Sequence, residues 1–243
     1  MARILVARDG EQASTLVEAK PHRWALSAGA RGFRRLARRW VVQRHVDRFC
    51  QPFSIEGAEH FTEIDRSAVI IANHTSHFDT MIMLSLLPPA LFDRTAVVAA
   101  ADRFYTNPFK GALYSLRYNA FPITRGGGRN ALSYSQQLLQ EGWSLLIFPE
   151  GTRSRTGELQ PFHPGPAILA LAQGVPIVPV HIAGAAAILP PGTRWSRPAS
   201  VRARVGRPLM LDTGMSAMEA TSAMQDAMRS LAAEQEVAPV IAS

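Results

Sequence analysis

Ala68-Val69-Ile70-Ile71-Ala72-Asn73-His74-Thr75-Ser76-His77-Phe78-Asp79 is the stretch whose reading decides the fold. Five apolar residues run into a polar segment that carries a histidine and an aspartate, so the layout is a buried strand delivering both side chains to its C-terminal end. A histidine takes and returns a proton near neutral pH, and a carboxylate beside it fixes its tautomer and stabilises its charged form. The spacing adds a constraint. Positions five apart on a continuous α-helix point about 140° away from each other, so His74 and Asp79 can touch only if the residues between them form a loop or tight turn that opens into a helix.

Outward from this strand, further apolar runs and their punctuation set the architecture. Strands are expected at Phe53 to Glu56, Ala96 to Ala100, Phe121 to Thr124, Ser144 to Phe148, Ile177 to Ile182 and Val201 to Val205. Helices are expected at about Trp24 to Phe49, with a break near Gly29-Ala30-Arg31-Gly32, and at Thr80 to Leu87, where Pro88-Pro89 stops the chain. Others fall at Phe109 to Leu116, Asn130 to Gln140, Ala167 to Gln173 and Ala217 to Glu236. Pro and Gly bound these segments because neither continues a helix readily. Residues 1–20 read as peripheral. Strands alternate with helices throughout, which argues for an α/β fold: a mostly parallel central sheet flanked by helices, with its sites at the C-terminal ends of the strands.

Composition narrows the classes. The chain has 243 residues, enough for one substantial core, and its single cysteine, Cys50, excludes an intramolecular disulfide and a cysteine-rich zinc site. The opening residues lack the sustained apolar run of a signal peptide, and no run of about 18 apolar residues suggests a membrane-spanning helix. Charge is uneven. Residues 1–50 hold ten Arg and one Lys against four acidic residues, a net of +7 that equals the net charge of the whole chain. Within them Phe33, Leu36, Ala37, Trp40 and Val41 share one helical face, and Arg34, Arg35, Arg38 and Arg39 the other. The division is therefore 1–50 as a basic helical, membrane-surface segment and 51–243 as the domain carrying the chemistry. Residues 24–49 are the expected contact with an anionic membrane surface; a core-packed helix with a solvated arginine face is the plainer alternative. No nucleic-acid motif accompanies the arginines, so nucleic acid is not an expected partner.

Three more segments join the first in order: Asn119-Ala120-Phe121-Pro122-Ile123-Thr124-Arg125, Phe148-Pro149-Glu150-Gly151-Thr152-Arg153-Ser154 and Val175-Pro176-Ile177-Val178-Pro179-Val180. Arginine gives bidentate, charge-assisted hydrogen bonds to phosphate, so Arg125 and Arg153 suit an anion pocket, with backbone N–H groups around Gly151 and Thr152 as further donors. Gly126-Gly127-Gly128 reads as a flexible turn. His74, His77 and Asp79 superficially resemble a metal-ligand cluster, but the remaining histidines are scattered and supply no second ligand spacing, so no metal is expected.

Together the His-x4-Asp pattern and Phe-Pro-Glu-Gly-Thr-Arg-Ser resemble the glycerolipid acyltransferase family over roughly Ile55 to Pro208. The resemblance implies transfer of a fatty acyl group from acyl-CoA or acyl-carrier protein to the hydroxyl of a lysophospholipid, foremost 1-acylglycerol-3-phosphate. It implies His74 as general base oriented by Asp79, without a covalent acyl-enzyme and without a cofactor. It also places Glu150, Gly151, Thr152, Arg153 and Arg125 at the acceptor; a structural ion pair of Glu150 with Arg153 is the alternative, and the family pattern favours the acceptor pocket. Two departures stand out. Family members commonly carry Gly at the position of Asn119 and Asp at that of Thr124. Asn is the non-glycine residue that best tolerates positive φ, but loss of the carboxylate at Thr124 leaves a different acceptor open, such as an aminolipid or glycolipid. A non-catalytic membrane-binding protein on the same fold is the other class of answer. The expected location is peripheral, on the cytoplasmic face of the cell membrane.

Overall fold

Seven strands, β1 (Cys50–Glu56), β2 (Val69–Ala72), β3 (Thr95–Ala100), β4 (Ala120–Ile123), β5 (Ser144–Ile147), β6 (Ile177–Ala183) and β7 (Ala199–Val205), form one sheet. Their order is β1-β7-β6-β2-β5-β3-β4, and every neighbouring pair is parallel except β6–β7. The computed structural model describes residues 20–124, 132–190, 193 and 195–237. The expected mostly parallel α/β sheet is thus the fold found. β2 and β5, entirely buried, lie at its centre because helices cover both faces, which is why these strands read as continuous apolar runs.

The helices are α1 (Ala28–Ala37), α2 (Arg44–Phe49), α3 (Asp79–Leu86), α4 (Pro89–Asp93), α5 (Ala101–Phe104), α6 (Pro108–Tyr118), α7 (Ser133–Gln140), α8 (Gly165–Gln173) and α9 (Ala217–Val237). They split the core in two. On one face Ile70, Leu146, Val97 and Val178 pack with Ile82 and Met83 of α3. On the other, Ile71, Leu145 and Ile147 pack with Leu138, Leu169 and Met224 of α7, α8 and α9. Asn119 ends α6 with φ 53°, the positive-φ turn that its residue type tolerates, and its Nδ2 donates to the Thr95 carbonyl at 2.8 Å.

Two local expectations are corrected. Pro88-Pro89 ends α3 but also starts α4, because proline's fixed φ and missing N–H suit the first turn of a helix. No break occurs at Gly29–Gly32. Ser27 caps α1, its Oγ accepting the Ala30 N–H at 3.3 Å, and a π-helical stretch, Arg38–Gln43, joins α1 to α2.

The orientation of this N-terminal helical run also reverses the ordinary arrangement. Arg34 is only 3% exposed, and burial, with repulsion from Arg31, lowers its pKa to about 10. Arg38 donates to the Ser85 and Leu87 carbonyls, which close the C-terminus of α3, and its guanidinium lies 4.6 Å from the Phe92 ring centre. Arg35 Nε donates to Asp93 at 2.8 Å. The aromatic stripe points outward instead: Phe33 is 49% exposed, Leu36 59% and Trp40 54%. Among the described residues, no helix is long and apolar enough to cross a membrane.

Candidate active site

β2 stops at Ala72, and Asn73 fastens its end. The Asn73 side chain accepts the Ile182 N–H at 2.7 Å and donates to the Ile182 carbonyl at 2.9 Å, extending the β2–β6 contact by one side-chain amide. The chain then turns sharply around the carboxylate of Asp79, the first residue of α3. One oxygen, Oδ2, accepts from the backbone N–H of Thr75 and of Ser76, both at 2.7 Å, and lies 2.8 Å from His74 Nδ1. The geometry demanded by the five-residue spacing is therefore a loop wrapped on a fully buried acid. With Nδ1 held by the carboxylate, Nε2 is the ring atom left to exchange a proton. Phe148 stacks on the imidazole, with ring centres 4.4 Å apart, and limits its rotation.

The segment after β5 grips the same loop. The His74 N–H donates to Glu150 Oε1 at 2.7 Å, and the Ser154 N–H donates to the His74 carbonyl at 2.7 Å. Glu150 Oε2 takes the Gln160 N–H at 3.0 Å. Burial raises the Glu150 pKa, and these two N–H donors oppose the shift. This differs from the expected role in the acceptor pocket and from an ion pair with Arg153. The carboxylate is turned into the protein and spent on backbone, because the peptide groups of His74 and Gln160 need acceptors once they are buried.

The other expected site residues within the described chain face a cavity of about 1090 Å³ that His74 also lines. Gly151, Thr152 and Arg153 line it together with Thr124. Gly151 adopts φ +68°, and a Cβ there would lie 2.9 Å from the His163 ring, so both backbone and space call for glycine. Desolvation, then repulsion from Arg103, lowers the Arg153 pKa. Arg125 and the Gly126–Gly128 turn lie outside the described residues.

Arg103 and His163 escaped the sequence reading as lining residues, and His77 entered it only as a possible metal ligand. Arg103 on α5 and His77 at the loop tip stand with Arg153 at the His74 end, close enough that both guanidiniums act with partial desolvation to lower the His77 pKa. His163 follows a loop and precedes a helix at the sheet's C-terminal edge, a position that could have marked it; nothing in the sequence near Arg103 would have done so. Among the described residues, no group of three or more His, Cys, Asp or Glu is arranged to hold a metal ion.

A buried acid thus holds a histidine beside a large, mainly apolar cavity, with the guanidiniums of Arg103 and Arg153 on the same cavity. Residues 52–183 match the profile of the family described as Acyltransferase, and the chain belongs to that family.

It is 32% identical over 165 residues to a 1-acyl-sn-glycerol-3-phosphate acyltransferase of Limnanthes douglasii, covering 66% of this chain and 56% of that protein. A 1-acyl-sn-glycerol-3-phosphate acyltransferase of Haemophilus influenzae is 31% identical over 147 residues, 58% of this chain and 59% of the other. The human 1-acyl-sn-glycerol-3-phosphate acyltransferase beta is 32% identical over 58% of this chain and 50% of its own. The matched part thus spans little more than half the length of these relatives. The crystal structure of the 1-acyl-sn-glycerophosphate (LPA) acyltransferase PlsC from Thermotoga maritima shares the fold, with a TM-score of 0.65 at 24% identity over 87% of this chain and 80% of that one.

Proposed function

We propose that the protein transfers a fatty acyl group from an acyl thioester, acyl-CoA or acyl-carrier protein, to the hydroxyl of a lysophospholipid, foremost 1-acylglycerol-3-phosphate. The observation that carries this reading is the 2.8 Å contact between Asp79 Oδ2 and Nδ1 of His74, a residue that lines the cavity. His74 Nε2 takes the proton of the acceptor hydroxyl as its oxygen attacks the thioester carbonyl carbon. The tetrahedral intermediate collapses, the C–S bond breaks, and the imidazolium returns its proton to the leaving thiolate. Asp79 holds the tautomer and stabilises the imidazolium between these steps. Arg153 and Arg103 suit the acceptor phosphate, and neither group needs a metal or a cofactor to act in this way.

The same reading places the protein peripherally on the cytoplasmic face of a membrane. Exposed Phe33, Leu36 and Trp40 of the N-terminal helical run and Phe109 and Leu113 of α6 support it, because aromatic and aliphatic side chains presented to the outside suit the headgroup boundary. Thr124, which lines the cavity without a carboxylate, keeps a second acceptor class, an aminolipid or glycolipid, in the reading. A panel of lysolipid acceptors against one labelled acyl-CoA, followed by thiol release, tests it. Lysophosphatidic acid should be the fastest acceptor and His74→Ala should abolish transfer. Thiol release with another lysolipid alone replaces the acceptor, and no release with any lysolipid sinks the catalytic reading.

A further inference from the structure

The cavity volume, about 1090 Å³, lies at the upper end of the range of about 300–1,000 Å³ for ligand pockets, and its walls come from both faces of the sheet. Val97, Ala99 and Ala120 belong to the core under α3, and with Phe104, Tyr114 and Tyr118 they wall one side. Val98, Ile147, Leu132 and Leu169 belong to the core under α7, α8 and α9, and they wall the other. Successive residues of a strand point to opposite faces, so Val98 and Ala99 mark two lobes from neighbouring positions of β3. The lining from each face is apolar, and His74, Arg103 and Arg153 line the same cavity. One alkyl chain has no reason to occupy both faces of a sheet. A reaction that joins two chain-bearing molecules at one hydroxyl needs two apolar channels that meet at the reacting atoms.

We propose that the cavity is a pair of acyl-chain sites, one on each face of the sheet: the lobe under α5 and α6 takes the chain already present on the acceptor, and the lobe under α7 and α8 takes the chain of the donor. This rests on the acyl-transfer reading. The assignment follows from α6. Its inner side supplies Tyr114 and Tyr118 to the first lobe, while its outer side exposes Phe109 and Leu113 in the region where α6 packs on α1. The first lobe therefore lies just beneath the apolar outer surface, from which a single-chain lipid would arrive. The second lobe lies across the sheet from that surface, where a thioester carried by a water-soluble group would enter. Its wall also contains Ser135, whose buried Oγ has no hydrogen-bond partner among the described residues.

Two adjacent substitutions separate the lobes. Ala99→Phe should fill the first and Val98→Phe the second. Binding is measured by titration calorimetry on His74→Ala protein, with acyl-CoA and with lysophosphatidic acid of 8 to 18 carbons as a graded series on the order of a decade of chain lengths. Ala99→Phe should weaken long-chain lysophosphatidic acid at least about 10-fold and leave long-chain acyl-CoA within about 2-fold; Val98→Phe should do the reverse. If either variant loses its fold by circular dichroism, Tyr114→Ala and Leu132→Ala, which enlarge the two lobes, should extend the preferred chain of the acceptor and of the donor respectively. Both substitutions moving the same ligand, moving both alike, or moving neither would overturn the proposal. Because binding is read without turnover, this result is distinct from a failure of acyl transfer in the wild-type protein.

Discussion

The backbone N–H of His74 donates to Glu150 Oε1 at 2.7 Å, and this bond ties the strand-end loop to a segment that follows a different strand. Glu150 is the acidic residue of the signature block, yet its work lies behind the histidine. It holds the peptide on which the imidazole is mounted, while Ser154 holds the same residue's carbonyl from the other side.

Replacing Glu150 should therefore show first in stability. Glu150→Ala leaves two buried N–H groups without acceptors, at a cost of about 1–3 kcal/mol each, read as a lower midpoint in urea. Glu150→Gln keeps one acceptor oxygen and should cost less. The pH dependence has a defined sign. The folded-state pKa of Glu150 is raised by burial, so its contribution is fullest below the ordinary carboxylate value near ~4.3 and falls as pH rises through the raised value. The stability gap between wild type and Glu150→Gln should narrow over that interval; a gap that widens with pH would contradict the assignment.

His74→Ala should lower turnover at least about 100-fold, the low end of what a positioned general base supplies. Melting temperature should change little, since the ring is partly exposed. Activity within a few-fold of wild type would remove His74 from the chemistry.

Asp79→Asn tests the orienting role separately. An amide keeps one oxygen for the position of Oδ2, where all three contacts end, but loses the charge and puts an NH2 group at the buried position of Oδ1, so both the imidazolium and the loop suffer. Turnover should fall on the order of 100-fold or more, with a loss of stability of about 1–3 kcal/mol for the buried NH2 group. Equal turnover by stopped assay at saturating substrate would show that the acid is structural only.

Leu36→Asp combined with Trp40→Glu should reduce flotation with anionic liposomes about 10-fold or more while leaving thermal stability unchanged, since both side chains already face outward. Unaltered flotation would mean that the exposed stripe has another purpose.

The sheet was legible because its central strands are covered on both faces, and burial of that kind leaves an uninterrupted apolar run such as Val69 to Ala72. The turn at Asn119 could be read for a similarly local reason. What escaped depends on contacts between distant parts of the chain. A helical wheel separates Arg34 from Phe33 but does not say which side faces in; the answer came from the α3 carbonyls waiting for Arg38. The partners that Glu150 finds in His74 and Gln160 could not be read for the same reason, since they are backbone groups that leave no trace in composition. Arg103 reaches the site only because β3 ends beside β5.

The double grip on His74 also orders events in time. The loop that carries the histidine has emerged from the ribosome long before the residues that clamp it, Glu150, 76 positions later in the chain, and Ser154 beyond it. Until β5 docks beside β2 and presents Glu150 and Ser154, the peptide of His74 lacks those two partners. A nascent or clipped chain that ends before Phe148 therefore carries the full His-x4-Asp motif without the clamp that seats it, so the geometry proposed for catalysis is complete only once β5 has joined the sheet.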